Sequence, residues 1–173
     1  MINAAKNSFL IFLPKKDFNE EEFTIVQRRL VKAGKKIFIT SDDHSVCSGS
    51  KGMKVKSDTS IYNVNVNNFS AFILIGGTGS KAYWKNEALH KIIKKFFDSK
   101  KVIAAICSSP ITLAKAGILQ NKKATCYSED KMELINAGID YQDKNVVVDR
   151  NVVTSNDARS ALQFAEAVLH LTK

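Results

Sequence analysis

The tightest constraint on this chain is a strand, a helix and a second strand read in succession between residues 8 and 40. SFLIFL at 8–13 is an unbroken apolar run of strand length, the pattern of a strand covered on both faces. EEEFTIVQRRLVKAG then sets Phe23, Val26, Leu30 and Val31 on one stripe, carries acids in its first turn and stops at Gly34. KIFIT at 36–40 returns as a strand. Such a unit is a right-handed crossover, and it predicts a parallel sheet flanked by helices.

The rest of the chain repeats the alternation. AFILIGG at 71–77 reads as a buried strand ending in two glycines, followed by a helix over 86–98 and the strand VIAAI at 102–106. A helix over 109–116 stops at Gly117, KATCY at 123–127 is a short strand, and EDKMELINAG is a short helix stopped by Gly138. VVVD and VVTS form a hairpin around Arg150 and Asn151, and DARSALQFAEAVLHL closes the chain as an amphipathic helix. In the polar stretch 42–69, MKVKS and YNVNV alternate weakly and predict short edge strands. The expected architecture is a flavodoxin-like three-layer α/β sandwich with a mostly parallel central sheet of five or six strands.

No Pro- or Gly-rich stretch separates two units, so residues 1–173 are expected to form a single domain, and 45% apolar content in 173 residues supplies its core. No apolar run approaches the roughly 18–20 residues that a spanning helix needs. FLIFL at 9–13 is too short and closes on Pro14-Lys15-Lys16, not on a small-residue cleavage site. The expectation is a soluble cytoplasmic protein with no membrane partner. The formal charge of +9, from 26 Lys and Arg against 17 Asp and Glu, raises the question of nucleic acid. The lysines lie in scattered pairs at the edges of apolar elements, with no aromatic interleaving, so a solvated surface is expected and nucleic acid is not. Three cysteines, Cys47, Cys107 and Cys126, with no Cys-x-x-Cys spacing, argue against a disulfide framework or a metal site and suit a reducing compartment.

Chemistry concentrates at VIAAICSSPITLAKAG, residues 102–117. In an open parallel sheet the ligand crevice lies beyond the carboxyl ends of the strands, and Cys107 occupies such an end, with a helix following within two residues. A turn that tight holds its residue in a strained conformation and projects the side chain upward, the logic of a nucleophile elbow, with Ala105 and Ser109 small enough to permit it. A thiol at a helix N-terminus is expected to favour the thiolate, and the same backbone N–H groups can hold an oxyanion. The competing reading is that Cys107 is a small buried hydrophobe.

AAICSSPITLAKAGILQNKKATCY resembles the cysteine elbow of the DJ-1/ThiJ/PfpI superfamily. FNEEEF, LIGGTG, KMELINAG and the VVVDRNVVTS hairpin occur in that family's order, so the resemblance covers nearly the whole chain. It implies that Cys107 is the functional thiol and that Glu22 hydrogen-bonds it, with Asn19 where many members carry another acid. On the residues alone Glu20, Glu21 and Glu22 are all explained by the helix dipole. A carboxyl buried beside a thiolate is expected to be protonated and to donate to sulfur. The resemblance also implies an oxyanion hole from the N–H groups of Gly76 and Gly77, with Ser108 contributing after the cysteine.

Departures from the family narrow the activity. Peptidase-like members carry His directly after the cysteine, where this chain has Ser108, and complete their triad with a neighbouring subunit's glutamate, which Glu87 matches. Glu87 is also an ordinary first-turn glutamate. Members acting on methylglyoxal commonly use a histidine at the end of the KATCY strand, here Tyr127. Glutamine amidotransferases need a downstream His-x-Glu, and His44, His90 and His170 are not in that context. Cys126 is expected to face the far side of its strand, and Cys47, read as a loop residue, is a secondary oxidation candidate. The resemblance thus implies three functions. The first is glyoxalase or deglycase chemistry on a small reactive carbonyl, with no cofactor and no metal. The second is a non-enzymatic sensor whose Cys107 is oxidised, and the third an intracellular cysteine peptidase. A homodimer or higher homo-oligomer is implied as well.

Overall fold

The structure is a computed structural model and describes residues 7–173. In chain order its strands are β1 (Ser8–Phe12), β2 (Lys16–Phe18), β3 (Lys36–Ser41), β4 (Val46–Gly49), β5 (Lys54–Lys56), β6 (Thr59–Ser60), β7 (Ala71–Leu74), β8 (Val102–Ile106), β9 (Lys123–Ala124), β10 (Asp140–Tyr141), β11 (Val146–Asp149) and β12 (Val152–Ser155). The helices are α1 (Glu20–Lys32), α2 (Glu87–Asp98), α3 (Pro110–Lys115), α4 (Lys131–Asn136) and α5 (Ala161–Leu171).

Seven strands form the central sheet in the order β11-β12-β8-β7-β1-β3-β6. Every pairing is parallel except the β11–β12 hairpin. The chain runs outward from β1 through β3 to β6, then returns to the other side of β1 as β7 and continues to β8. The order therefore reverses between β1 and β7, and beside such a reversal the loops leaving the carboxyl ends splay apart and open a crevice.

Strand periodicity explains the two-sided core. Leu10, Phe12, Phe72, Leu74, Ile103 and Ala105 point into a cluster with Leu89, Ile93 and Phe96 of α2, Ile111 and Leu113 of α3 and Leu134 of α4. Their neighbours Phe9, Ile11, Ile73, Ala104 and Ile106 point the other way, onto Phe23, Val26 and Leu30 of α1 and Phe164, Ala165 and Val168 of α5. Because both faces are covered, β7, β8 and β1 beyond Ser8 are apolar at every position, as fully buried parallel strands tend to be. Each fully buried Phe or Leu contributes roughly 1.5–3 kcal/mol of transfer free energy, which makes these two layers the main stabilising element.

Two expectations from the polar stretch are corrected. YNVNV is not a strand: Ile61–Asn63 and Val66–Asn68 are 3-10 turns, the first started by Ser60 Oγ accepting the Tyr62 N–H and the second by Asn65 Oδ1 accepting the Asn67 N–H. Local side-chain bonds to the backbone defeat the weak alternation there. Cys47 is not in a loop. It lies in β4, fully buried, within a small sheet of order β2-β4-β5. KVK in β5 fulfils the edge-strand expectation for MKVKS, and KATCY is a strand only at Lys123–Ala124, paired with β10, so Cys126 and Tyr127 lie past its end. Among the described residues no helix is long and apolar enough to cross a membrane.

Candidate active site

Three strand ends build the site. β8 runs into Cys107, whose φ of +64° places it in the left-handed region before α3 begins at Pro110. Such a conformation in a non-glycine residue costs about 1–3 kcal/mol and persists only where the surroundings over-determine it. Here the Cys107 N–H donates to Ser155 O of β12 at 2.9 Å, Cys107 O accepts the Tyr127 N–H at 2.8 Å, and Ser109 Oγ donates to Ile75 O at 2.8 Å. The side chain is 9% exposed at the base of an open cleft of about 440 Å³, whose walls include Asn19, Glu22, Gly77, Ser108 and Tyr127.

β1 leads through β2 to the start of α1, which is stapled to the end of β7. Asn19 caps the helix, its Oδ1 accepting the Glu22 N–H at 3.1 Å, while its own N–H donates to Gly76 O at 3.0 Å. Gly76 answers by donating its N–H to Glu22 Oε2 at 2.8 Å. Glu22 is fully buried, and its Oε1 has no hydrogen-bond partner. The Cys107 thiol lies beside this carboxyl, and each is among the groups that shift the other's pKa.

Only glycine fits at 76. A Cβ there would stand 2.5 Å from Cys107 Cβ and 2.9 Å from Glu22 Oε2. Gly77, at φ +103°, turns the chain so that its N–H reaches the sulfur, as the Ser108 N–H does. This corrects one expectation. The Gly76 N–H is taken by Glu22, so the backbone donors facing the sulfur come from Gly77 and Ser108.

The electrostatics correct another. Burial pushes the Cys107 thiol up to about 12, the nearby Glu22 charge adds to this, and the two N–H donors only partly offset it. α3 has six residues, too few to override desolvation. The direction of this shift is opposite to the one that a helix N-terminus would impose. Burial likewise raises Glu22 from 4.5 to about 7, against the hydrogen bonds from Gly76 and Cys107 that pull it down. Burial thus pushes both members of the pair toward their protonated forms.

Tyr127 lines the cleft, whereas Glu87 lies at the start of α2 in a separate groove with Tyr62, Lys91 and Lys95. Glu20 accepts the N–H groups of Lys51 and Met53, both at 2.8 Å, and Glu21 is exposed. The cleft also contains Lys81, Asp157 and Arg159, which sequence reasoning did not single out. They follow β7 and β12 at their carboxyl ends, the rule that selected Cys107. No local pattern marks Asp130, buried behind Ser108.

Fold and site together define a class: a parallel α/β sandwich with a cysteine in a left-handed strand-to-helix turn beside a buried carboxyl. The model of the DJ-1/PfpI family matches residues 7–171, and the chain belongs to that family. Deglycase PfpI of Pyrococcus furiosus is 35% identical over 146 residues, 84% of this chain and 88% of that protein. Glutathione-independent glyoxalase DJR-1.2 of Caenorhabditis elegans is 29% identical over 162 residues, 94% of this chain and 87% of that one. The ThiJ/PfpI domain protein from Brachyspira murdochii superposes with a TM-score of 0.93 at 28% identity, covering 95% of each chain.

Proposed function

We propose that this protein performs glyoxalase or deglycase chemistry on small reactive carbonyl compounds, with Cys107 as nucleophile and Glu22 as its acid–base partner. The observation that carries this is a fully buried carboxyl, anchored by the Gly76 N–H, that lines the same cleft as the thiol. A carboxyl at about 7 in contact with a thiol at the base of an open cleft is matched to proton transfer at neutral pH. As sulfur adds to the carbonyl carbon, the S–H proton passes to ionised Glu22, the S–C bond forms, and the carbonyl π pair moves to oxygen. The N–H groups of Gly77 and Ser108 are the donors available to that oxyanion, and Glu22 then returns the proton to it. The names deglycase and glyoxalase carried by two relatives support the same substrate class. A homodimer or larger homo-oligomer in a reducing cytoplasm completes the proposal.

A second reading is redox sensing. Cys107 has access to solvent through the cleft while Cys47 and Cys126 are fully buried, and a sulfinate on Cys107 would meet the Gly77 and Ser108 N–H groups and a neutral Glu22. The peptidase reading has less support, since Ser108 replaces the histidine and no histidine lines the cleft.

Methylglyoxal consumption separates the two leading readings. Wild-type turnover that disappears in Cys107→Ser and drops by about 100-fold or more in Glu22→Gln supports the enzyme. Absent wild-type turnover, with a clean gain of two oxygens at Cys107 under mild peroxide, supports the sensor and defeats the enzyme.

A further inference from the structure

The turn carrying Cys107 is closed into a ring by bonds that the chemistry above does not use. Cys107 O accepts the Tyr127 N–H at 2.8 Å, and Tyr127 O accepts the Asp130 N–H at 2.9 Å. Asp130 Oδ2 then accepts the Ser108 hydroxyl at 2.5 Å, and Ser108 follows Cys107 in the chain. The other oxygen of Asp130, Oδ1, binds the Lys81 ammonium at 2.7 Å. Asp130 is 4% exposed behind the cleft wall, while the Lys81 side chain, 42% exposed, lines the cleft itself. Trp84 holds both partners: its Nε1 donates to Ser108 O at 2.8 Å, and Lys81 Nζ lies 5.4 Å from its ring centroid.

Any reaction of Cys107 puts negative charge into this cleft, as thiolate, as alkoxide of an adduct or as sulfinate. The charged and titratable groups facing it are Glu22 from α1, Lys81 after β7, Tyr127 and Glu129 after β9, and Asp157 and Arg159 after β12. Glu129 and Asp157 oppose such a charge. Arg159 is turned onto Asp157, donating from Nε and Nη2, and its side chain is 88% exposed. Lys81 remains: it too is paired, with Asp130, but it lines the cleft and its carboxylate partner does not.

We propose that Lys81 is the counter-charge for the anion formed on Cys107, and that Asp130 is the positioning residue that ties this ammonium to the Ser108 turn. The assignment rests on Cys107 being the reactive group of the cleft. Asp130 couples two things the chemistry needs, since one carboxylate orients both the cation and the residue whose N–H faces the sulfur. Consistently, negative charge on Cys107 is among the influences that raise the Lys81 pKa.

The test is the rate of Cys107 alkylation by iodoacetamide as a function of pH, with Cys107→Ser as the blank. This readout is independent of carbonyl turnover. Lys81→Met should slow alkylation about tenfold at neutral pH, the equivalent of a one-unit rise in the thiol pKa. Lys81→Arg should stay within about threefold of wild type, because it preserves charge and pairing. Lys81→Met leaves Asp130 buried without its cation, so the doubly neutral Lys81→Met/Asp130→Asn protein is the second variant, and it should slow in the same direction. Wild-type rates in both charge-removing variants overturn the proposal and leave Cys107 as the reactive group. A wild-type Cys107 that no pH makes alkylatable overturns the functional reading itself.

Discussion

Glu22 Oε2 accepts the Gly76 N–H at 2.8 Å, and this bond ties the buried carboxyl to the glycine that packs against Cys107. Because burial raises this acid from 4.5 to about 7, the folded protein holds its proton more tightly than the unfolded chain does. The contribution is therefore most favourable below pH 4.5, where both states are protonated, and is lost as pH climbs from 4.5 through about 7. The gap corresponds to roughly 3 kcal/mol. Urea unfolding of wild type and Glu22→Gln should show their stability difference shifting toward the variant by a few kcal/mol between about pH 4 and about pH 8. A difference independent of pH would show that Glu22 does not retain its proton.

Gly76 is predicted to be irreplaceable for a steric reason. The Cβ of Gly76→Ala would stand 2.5 Å from Cys107 Cβ and 2.7 Å from Ile106 O, one of them backbone that cannot yield cheaply. Gly76→Ala should destabilise by about 1–3 kcal/mol in denaturant melts and displace the Glu22–Cys107 pair, even though it preserves the N–H. Wild-type stability together with wild-type alkylation of Cys107 would contradict the close approach.

Oxidation should be selective. Cys47 and Cys126 are fully buried, whereas Cys107 opens onto the cleft. Mild peroxide followed by peptide mass analysis should find added oxygen at Cys107 and none at the other two cysteines of the folded protein. Modification of Cys47 at a comparable rate would show that the β2-β4-β5 sheet opens readily.

Glu20 is predicted to hold the segment that follows β4. Its carboxylate gathers the N–H groups of Lys51 and Met53, next to Ser50 on the cleft wall. In Glu20→Ala the amide hydrogens of Lys51 and Met53 should exchange about tenfold faster or more, with the central strands unaffected. Unchanged exchange would mean that the segment is held by its other contacts.

Much of the fold was legible because its signals are local. Unbroken apolar runs, a 3.6-residue stripe after an acidic first turn, and glycine stops identify β1, α1, β3, β7 and β8 without reference to anything distant. The 61–68 stretch misled because Ser60 and Asn65 side chains cap turns there, a preference that alternation of apolar residues does not register. Cys47 misled for a related reason: β4 is short, and its burial comes from pairing between β2 and β5 and from the apolar cluster it joins, not from an apolar run of its own.

The site divides along the same line. Position at the end of a strand singled out Cys107 from the chain alone, because parallel topology puts every strand's carboxyl end on one rim. On the residues alone three adjacent glutamates are indistinguishable, and only the family resemblance pointed to Glu22; the phase of α1, about 100° per residue, sends Glu20 to the small sheet, Glu21 to solvent and Glu22 to the base of the cleft. Asp130 and Lys81 are 49 residues apart and meet only through folding. What the sequence determined by itself was the order of layers and the location of the sulfur, both consequences of short-range periodicity. The burial of that sulfur, the carboxyl set beside it and the Lys81–Asp130 pair were decided by tertiary structure, because burial and ionic contact depend on distances that no local pattern encodes.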